Sequence, residues 1–456
     1  MINGSFRKYL EEAIGSDNAL VAFSAFESAA SVSVRCNPFK NGICPQGRQV
    51  AWNPYARILA ERPVFTLDPH FHAGAYYVQD SSSMFVGHAF RRLLEMVGRP
   101  AGRPFRVLDL CAAPGGKTTD LAASLREAFG DDFILVSNEV MKARAGVLAD
   151  NVALWGDPNV VVTSDDPRAF AALPGFFDVI VADVPCSGEG MFRKDEEAQK
   201  QWSEDNVALC EARQRRIVAD VWPSLRQGGV FLYSTCTFNK YENDGNVQWI
   251  AAELGAECLF VDDFLKPGEG VIKTDAGYSL VPGHVEGEGQ YCSALCKTSG
   301  SECREVSRKA GRVSKAQAVP DDMVAGLLTV PCVCRLRGET LIAIPGKMIP
   351  DIAAMEQVLH IIAAGCAVGT LKGKVLVPDA DLALSIIFDR SAFPEAEVDK
   401  DNALAFLHRD AIVLPGVSRG YVTITYEGLP LGFVKNLGNR CNSLHPQSRR
   451  IRMNIK

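Results

Sequence analysis

The chain has 456 residues but no apolar run long enough to cross a lipid bilayer. Its N-terminus, MINGSFRKYLEEAIG, lacks an apolar core after the basic residues, which excludes a signal peptide. Hydrophobic residues make up 47% and charged residues 22% of the chain, as in soluble globular proteins. One compact core seldom reaches this length, so we expect a cytoplasmic protein of roughly two to four domains.

The fourteen cysteines include no CxxC pair. They are scattered, many of them in apolar, strand-like runs, which indicates reduced thiols and neither a disulfide framework nor a zinc site. Cys292 with Cys296 and Cys332 with Cys334 come nearest to the spacing of metal ligands. Neither pair has a matching second pair, so we expect no bound metal.

An excess of positive charge is also lacking, because the formal net charge is −6. This value argues against indiscriminate binding of polyanions, but local basic patches still meet phosphates in nucleic-acid enzymes. The C-terminal segment provides such a patch. It contains no acidic residue and these basic ones: Lys435, Arg440, Arg449, Arg450, Arg452 and Lys456. The alternatives are RNA contacts and a solvated charged tail, and the lack of acids favours RNA.

A glycine turn organises the middle of the chain. Residues 105–110 form an apolar run that predicts a buried strand, and Pro114-Gly115-Gly116 follows as a turn. Lys117 then opens an amphipathic helix with Leu121, Leu125 and Ala128 on one face. Strand, glycine turn and helix form the first unit of a doubly wound nucleotide-binding fold, although two glycines alone would also fit an ordinary turn.

Strand and helix signals alternate after this turn, as a parallel sheet requires. Further strands are predicted at 133–137, 160–163, 179–182 and 230–233, with a long helix at about 206–225. In the strand order 3-2-1-4-5, all their carboxyl ends share one edge. Later apolar runs would close the sheet, at 278–281 and 291–296.

The flanking regions give weaker signals. Helices are predicted at 6–14, 54–61 and from Met84 towards Val97, and a strand at 31–37. Residues 298–320 read as an exposed basic linker. Beyond them, strand-like runs at 330–336, 341–345, 411–414 and 421–426 predict a small β-rich barrel.

Acidic residues follow several of the predicted strands. Glu139 lies 24 residues beyond Gly115, the spacing of a carboxylate that binds a ribose. Asp165 or Asp166 is placed to face an adenine amino group, and Asp183 ends the fourth strand. Acids at strand ends are also common solvated turn residues, but several around one glycine turn favour a binding role.

Two cysteines give the sharper signal. Cys186 follows the fourth strand and Cys236 the fifth, so both thiols are predicted side by side at the ligand edge. Buried cysteines are usually inert, but each of these lies in a polar turn. Beside a nucleoside-type cofactor, a thiolate that adds to C6 of cytosine makes C5 nucleophilic towards a methyl group. The second thiol would assist release, and Asp183 would stabilise charge near N3.

Several motifs resemble those of RNA cytosine-C5 methyltransferases of the Sun family, above all the RsmF-type enzymes of bacterial 16S ribosomal RNA. The catalytic-domain motifs are LDLCAAPGGKT (108–118), ADVPCSGEGMFRKD (182–195) and YSTCTFN (233–239). Outside them, the resemblance extends to FHAGAYYVQDSSSM (71–84), HVEGEGQYCSALCK (284–297) and GLPLGFVKNLGNRCNSLHPQSRR (428–450). The last of these is similar to PUA modules.

The resemblance implies an α/β fold: a Rossmann-like class I methyltransferase with a mixed seven-stranded sheet, an N-terminal RNA-binding extension and a C-terminal α+β, PUA-like domain. The implied segments are an N-terminal RNA-binding region (1–85), the methyltransferase domain (86–297), the linker (298–320) and a C-terminal RNA-binding region (321–456). Ribosomal RNA or the small ribosomal subunit would be the partner of a monomer with no membrane contact.

The resemblance also implies roles for single residues. S-adenosylmethionine would be wrapped by Cys111, Ala112, Ala113, Pro114, Gly115, Gly116 and Lys117. Glu139 would hold its ribose, and Asp166, not Asp165, matches the acid after the third strand. Asp183 would lie between cofactor and base, Cys236 would be the nucleophile, and Cys186 would resolve the adduct.

Some positions depart from the family pattern or allow two interpretations. Val184 replaces a usual Ala or Pro, and His445-Pro446 replaces the usual Tyr-Pro. The segment Arg193-Lys194-Asp195 fits a phosphate contact and a solvated loop equally well.

Two other functions compete. One is a non-catalytic ribosome-assembly RNA-binding protein on a methyltransferase scaffold, against which the intact motifs argue. The other is an amino-group methyltransferase, which would have an aromatic residue where Cys186 stands.

Overall fold

The computed structural model describes residues 4–40, 44–260, 270–299, 324–373 and 375–455. The N-terminal region contains three helices and a four-stranded sheet of order β2-β3-β1-β4. Its elements are α1 (Gly4–Ile14), α2 (Ser16–Phe26), β1 (Val32–Cys36), β2 (Arg48–Gln49), β3 (Ala56–Leu59), α3 (Pro69–His72) and β4 (Tyr76–Val78). The predicted first helix and first strand are confirmed.

The helix predicted at 54–61 is wrong. Asn53 Oδ1 accepts the main-chain N–H of Tyr55 at 3.0 Å and closes a tight turn. The chain then continues as β3, whose Leu59 pairs with Val32 of β1. Pairing with a distant strand has overridden a local helix-start signal.

The central region follows with alternating strands and helices. Its elements are α4 (Phe85–Leu94), β5 (Phe105–Asp109), α5 (Gly116–Phe129), β6 (Phe133–Asn138), α6 (Lys142–Trp155), β7 (Val160–Thr163), β8 (Phe177–Asp183), α7 (Glu196–Gln201), α8 (Glu204–Val221), β9 (Leu225–Thr235), α9 (Asp244–Leu254), β10 (Ala256–Leu259), β11 (Ile272–Lys273), β12 (Tyr278–Leu280) and β13 (Gln290–Lys297). Helix α8 ends earlier than predicted because Pro223 follows it, and β9 begins correspondingly sooner.

The C-terminal region contains two open four-stranded sheets within the described residues, of order β14-β15-β17-β18 and β19-β20-β21-β22. Its elements are β14 (Cys332–Arg337), β15 (Thr340–Pro345), α10 (Ile349–Met355), β16 (Ile361–Ala364), β17 (Cys366–Lys372), β18 (Val375–Pro378), α11 (Ala380–Leu384), β19 (Glu395–Glu397), α12 (Lys400–His408), β20 (Gly420–Tyr426), β21 (Leu429–Asn436) and β22 (Cys441–Ser443). The run 411–414 is not a strand, although its Ile412 and Leu414 are buried. Residues 300–320 of the expected linker lie outside the described residues.

The central sheet has the predicted order. Strands β7-β6-β5-β8-β9 are parallel neighbours, which is the order 3-2-1-4-5. The two later strands predicted at 278–281 and 291–296 are β12 and β13; β13 runs antiparallel to β9 and β12 antiparallel to β13, which completes the expected seven. Three more strands, β10, β11 and β16, extend the described sheet to ten. Strand β16 comes from the C-terminal region and pairs antiparallel with β7.

Apolar cores fill both sides of this sheet. One side packs against α4, α5 and α6, with Phe90 and Leu121 fully buried. The other packs against α8, α9 and α10 around Val218 and Ile250. Helices on both faces make the sheet a doubly wound, Rossmann-like fold, which leaves the carboxyl ends of its strands as the ligand edge.

The expectation of reduced cysteines fails at one pair. Cys36, the last residue of β1, and Cys44 form a disulfide with their Cα atoms 5.7 Å apart. Among the described residues, the other cysteines are free and no His, Cys, Asp or Glu cluster of three or more is suited to a metal ion. The described helices include none that is both long and apolar enough to cross a membrane.

Candidate active site at the carboxyl ends of the central strands

The glycine turn after β5 is held against helix α6. Gly115 has φ +115°, and a Cβ there would come within 3.2 Å of Leu148, so any larger residue would be both strained and crowded. The carbonyl of Pro114 accepts hydrogen bonds from Tyr77 Oη at 3.2 Å and Asn151 Nδ2 at 2.8 Å. The turn therefore presents the N-terminus of α5, with its unpaired N–H groups, to a ligand at the sheet edge.

A buried arginine fastens the N-terminal region to this turn. Arg35 Nη2 donates to the carbonyl of Gly116 at 3.0 Å and to Thr119 Oγ1 at 2.5 Å, and its Nε donates to Gln79 Oε1 at 3.0 Å. Its guanidinium also lies 4.7 Å from the ring centroid of Trp155. Sequence reasoning gave Arg35 no role; the available signal was a charged residue inside an apolar strand.

The predicted ribose and adenine acids lie at the ends of β6 and β7. Glu139 is buried, accepts the N–H of Met141 at 2.9 Å and is 3.2 Å from Arg144. Asp165 Oδ2 accepts the N–H of His360 at 2.8 Å, which ties this edge to the C-terminal region. Asp166 is exposed and caps the short helix 167–172 by accepting the N–H of Arg168 at 3.0 Å.

Three buried polar atoms at this edge have no hydrogen-bond partner within the described structure. They are Asp109 Oδ1 at the end of β5, Ser137 Oγ near the end of β6 and Ser164 Oγ directly after β7. Unpaired buried polar atoms are rare and call for a ligand or water. Burial raises the pKa of Asp109 to about 7, although Thr118 donates a hydrogen bond to its other oxygen at 2.6 Å. These atoms fit a ligand with amino and hydroxyl groups.

An ion pair joins the turn to the fourth strand. Lys117 Nζ lies 2.8 Å from Asp183 Oδ2, and Asp183 Oδ1 accepts hydrogen bonds from Ser234 at 2.8 Å and Gln290 at 3.0 Å. Burial alone would lower the pKa of Lys117, but the Asp183 carboxylate raises it above its ordinary value. Lys117 therefore stays charged and holds Asp183 in one position.

The two predicted thiols are in contact. Cys186 Sγ and Cys236 Sγ lie 3.2 Å apart, and both residues are half-buried, so neither is sealed inside the core. The hydrogen bond with Cys236, together with burial, raises the pKa of Cys186 well above its ordinary value. The two sulfurs are within hydrogen-bonding distance, and either thiol can donate to the other.

Two buried glutamates tie the cysteine loops together. Glu189 accepts the N–H groups of Phe238 at 2.6 Å and Asn239 at 3.0 Å, and also the indole N–H of Trp202 at 2.8 Å. Glu242 accepts the N–H of Ser187 at 3.0 Å, and burial raises its pKa to about 7. The sequence analysis assigned a role to neither, although Glu189 lies in the motif 182–195 with Cys186 and Glu242 lies three residues after the motif 233–239 with Cys236.

Neither interpretation of the Arg193 loop is correct for Arg193 itself. Its guanidinium forms a buried two-point pair with Glu288, with N–O distances of 2.8 and 2.9 Å. Lys194 is 3.4 Å from Asp80, and Asp195 caps α7 by accepting the N–H of Glu197. The loop is therefore anchored by Glu288 and Asp80, each about a hundred residues away along the chain.

The basic residues of the C-terminal segment differ in their environment. Arg449 bridges Asp381 at 2.6 Å and Asp150 of α6 at 3.1 Å, so it joins two regions of the protein. His445, where the family usually has Tyr, is buried inside the domain, and burial lowers its pKa to about 4. Lys435, Arg440 and Arg452 remain exposed.

Family comparisons match three parts of the chain. Residues 100–296 match the model for 16S rRNA methyltransferase RsmB/F, residues 2–81 the N-terminal domain of 16S rRNA methyltransferase RsmF, and residues 393–451 the methyltransferase RsmF PUA domain. The ribosomal RNA small subunit methyltransferase F of Aliivibrio fischeri is 30% identical over 390 residues, covering 82% of this chain and 79% of that protein. Its Pectobacterium atrosepticum counterpart is 35% identical over 229 residues, covering 50% of this chain and 45% of that protein.

Solved structures share the fold. A methyltransferase homolog protein from Pyrococcus horikoshii matches with a TM-score of 0.51 and 24% identity, covering 65% of this chain and 100% of that one. This likeness supports the Rossmann-like architecture of the central region.

Proposed function

Because the chain belongs to the family of the ribosomal RNA small subunit methyltransferase F proteins, we propose that it methylates C5 of cytosine in 16S ribosomal RNA. Family membership makes it an S-adenosylmethionine-dependent methyltransferase of ribosomal RNA. The finer assignment rests on one observation, the contact of 3.2 Å between Cys186 and Cys236 at the ligand edge.

We assign the methyl donor to the glycine turn. Residues Cys111 to Lys117 would surround it, Glu139 would bind its ribose, and Asp166 would face its adenine. The unpaired Asp109 Oδ1 and Ser137 Oγ support this assignment, because they supply polar atoms along the same edge. When bound, S-adenosylmethionine supplies an electrophilic methyl group to C5 of the base.

The protein's own groups would prepare and release the base. Cys236 Sγ adds as a thiolate to C6, and the C5–C6 double-bond electrons move so that C5 becomes nucleophilic. Thiolate addition leaves negative charge on the ring, which a proton at N3 neutralises; Asp183 accepts a hydrogen bond from that N3–H, in the position that Lys117 and Gln290 fix by contacts of 2.8 and 3.0 Å. After methylation, Cys186 as a thiolate accepts the C5 proton, the C5–C6 double bond forms again, and the C6–S bond breaks so that Cys236 leaves as a thiolate.

We also propose the division of labour along the chain. Residues 86–297 carry the chemistry, while residues 1–85 and the C-terminal region 321–456 bind RNA. The match of the PUA model to residues 393–451 and the exposed Lys435, Arg440 and Arg452 support a role for the C-terminal region in RNA contact.

Two cysteine variants test the chemistry. Cys236→Ala should abolish transfer of labelled methyl groups to 16S ribosomal RNA. Cys186→Ala should instead accumulate a covalent protein–RNA adduct, visible as a band of reduced mobility in a denaturing gel, because release fails. Cys258→Ala is the matched control, since Cys258 is also a free, half-buried cysteine but lies on β10.

The readout on the RNA is bisulfite sequencing, which detects 5-methylcytosine directly. Retained activity in Cys236→Ala would refute the assigned nucleophile. Methyl transfer to a position other than cytosine C5 would refute the proposed reaction while leaving the family assignment intact.

A further inference from the structure

A cavity of about 620 Å³ lies where the N-terminal region meets helix α6. Phe65, Phe71 and Tyr77 line it from the N-terminal region, and Asn151 and Trp155 line it from α6. None of the residues assigned to the methyl donor or to the reacting cytosine is among its lining. It is therefore a separate site, and its volume falls in the range of roughly 300–1,000 Å³ typical of pockets for small ligands.

The cavity adjoins the glycine turn. Tyr77 and Asn151, which line it, are the same two side chains that hold the Pro114 carbonyl, and they lie 3.3 Å from each other. One layer of side chains thus separates the cavity from the cofactor turn. Any ligand in the cavity would rest against groups that position this turn.

The walls of the cavity are aromatic. Tyr76 and Trp155 are almost wholly buried at its lining, whereas Phe71 and Tyr77 are half-buried. Aromatic rings on several sides favour a flat ring as the ligand, because stacking of a base on an aromatic side chain contributes roughly 1–3 kcal/mol. Asn151 and Thr66 add polar groups to the same lining.

The charge of the cavity suits a nucleotide. Arg62 is exposed at the lining, with its guanidinium carbon 5.6 Å from the ring centroid of Phe65. No acidic side chain is among the described residues that line the cavity. A cation beside aromatic rings, without a competing carboxylate, is complementary to a base that carries a phosphate.

We propose that this cavity binds an unpaired nucleobase of the RNA substrate, apart from the cytosine that is methylated. The inference rests on the proposed function for the presence of RNA. Unpaired bases are the part of RNA that proteins recognise by stacking, whereas paired bases are hidden inside a helix. The site would fix the substrate's register next to the cofactor turn.

Photocrosslinking tests the location. Transcribed 16S ribosomal RNA that contains 4-thiouridine is irradiated with the full-length protein in the absence of S-adenosylmethionine, and crosslinked peptides are mapped by mass spectrometry. We expect crosslinks within residues 62–78 or 151–155. Crosslinks confined to other segments, such as 435–452, would overturn the proposal and leave the proposed reaction untouched. Crosslinking at the cavity by a protein that does not methylate cytosine would support this site and refute only the proposed reaction.

Affinity measurements test the charge contribution. Arg62→Ala should raise the Kd for the same transcript by about fivefold or more, and raise KM with little change in kcat. Arg213→Ala is the control, because Arg213 is also exposed but lies on α8, outside the cavity and outside the regions proposed to bind RNA. Equal weakening in both variants would indicate general electrostatics and overturn the proposal. A rise in the Kd of Arg62→Ala that is seen only with protein-containing ribosomal subunits would indicate a protein ligand and would also overturn the proposal.

Discussion

Glu189 accepts the main-chain N–H of Phe238 at 2.6 Å, and this hydrogen bond joins the loop after Cys186 to the loop after Cys236. The carboxylate is fully buried and receives further hydrogen bonds from Asn239 and Trp202. The separation of the two sulfurs therefore depends on a carboxylate that need not touch RNA or cofactor. Trp202 in turn packs against Phe6 of α1, with their ring centroids 5.7 Å apart, so the N-terminal helices support the same loops.

Glu189→Gln should destabilise the protein by about 1–3 kcal/mol. Both carboxylate oxygens of Glu189 accept hydrogen bonds, and in the variant one of them is replaced by an amide NH₂ group, which cannot accept. Denaturant unfolding monitored by tryptophan fluorescence measures this change. Glu197→Gln is the control, since Glu197 is exposed on the nearby helix α7. Equal stability of the two variants would show that Glu189 does not hold the loops.

Lys117→Met should lower the rate of methyl transfer by about 10- to 100-fold, the equivalent of ~1.5–3 kcal/mol for a lost charged hydrogen bond. Asp183 would keep only the neutral donors Ser234 and Gln290. Initial rates with labelled S-adenosylmethionine measure the effect. Lys142→Met, an exposed lysine on α6, should retain the normal rate. Unchanged activity of Lys117→Met would remove the ion pair from the mechanism.

Asp109 should make stability depend on pH. Burial raises its pKa in the folded protein to about 7, above its ordinary value of 3.8. Between these values the folded state holds a proton that the unfolded state has lost, so this group's contribution to stability falls as pH rises from about 4 to 7. Relative to the wild type, Asp109→Asn should gain stability across this window, by at most about 1.4 kcal/mol per pH unit.

Denaturant unfolding of both proteins at several pH values measures this difference, in which the other titrating groups cancel. Asp132→Asn serves as a control of opposite sign, because hydrogen bonding to Arg99 lowers the pKa of Asp132. The wild type should be the more stable of that pair at pH 7, and the difference should shrink in acid. A flat difference for Asp109→Asn would contradict the assignment of its pKa.

Arg449→Met should destabilise the protein by about 1–3 kcal/mol, because it removes the bridge between Asp150 of α6 and Asp381 of α11. Calorimetric melting measures the loss. Arg452→Met tests the same charge change at an exposed position of the same tail and should melt normally. If both variants melted alike, the bridge would contribute nothing to joining the two regions.

The sequence was informative wherever structure follows from short-range pattern. The apolar run before the glycine turn, the alternation of strands and helices and the order 3-2-1-4-5 all appear in the fold. It failed at 54–61 and 411–414, where pairing or packing with distant segments decided the outcome. The disulfide between Cys36 and Cys44 was likewise not anticipated, since two cysteines eight residues apart give little signal by themselves.

The sequence by itself determined the doubly wound fold, the glycine turn and the placement of Cys186 and Cys236 at neighbouring strand ends. Hydrophobic periodicity and the topology of parallel sheets are sufficient for these. Only the tertiary structure decided that the two sulfurs lie 3.2 Å apart, that Arg35 holds the turn, and that β16 joins the central sheet. These contacts join residues 50, 81 and about 200 positions apart in the chain. Their partners are selected by shape and charge complementarity in the packed molecule, which no local pattern records.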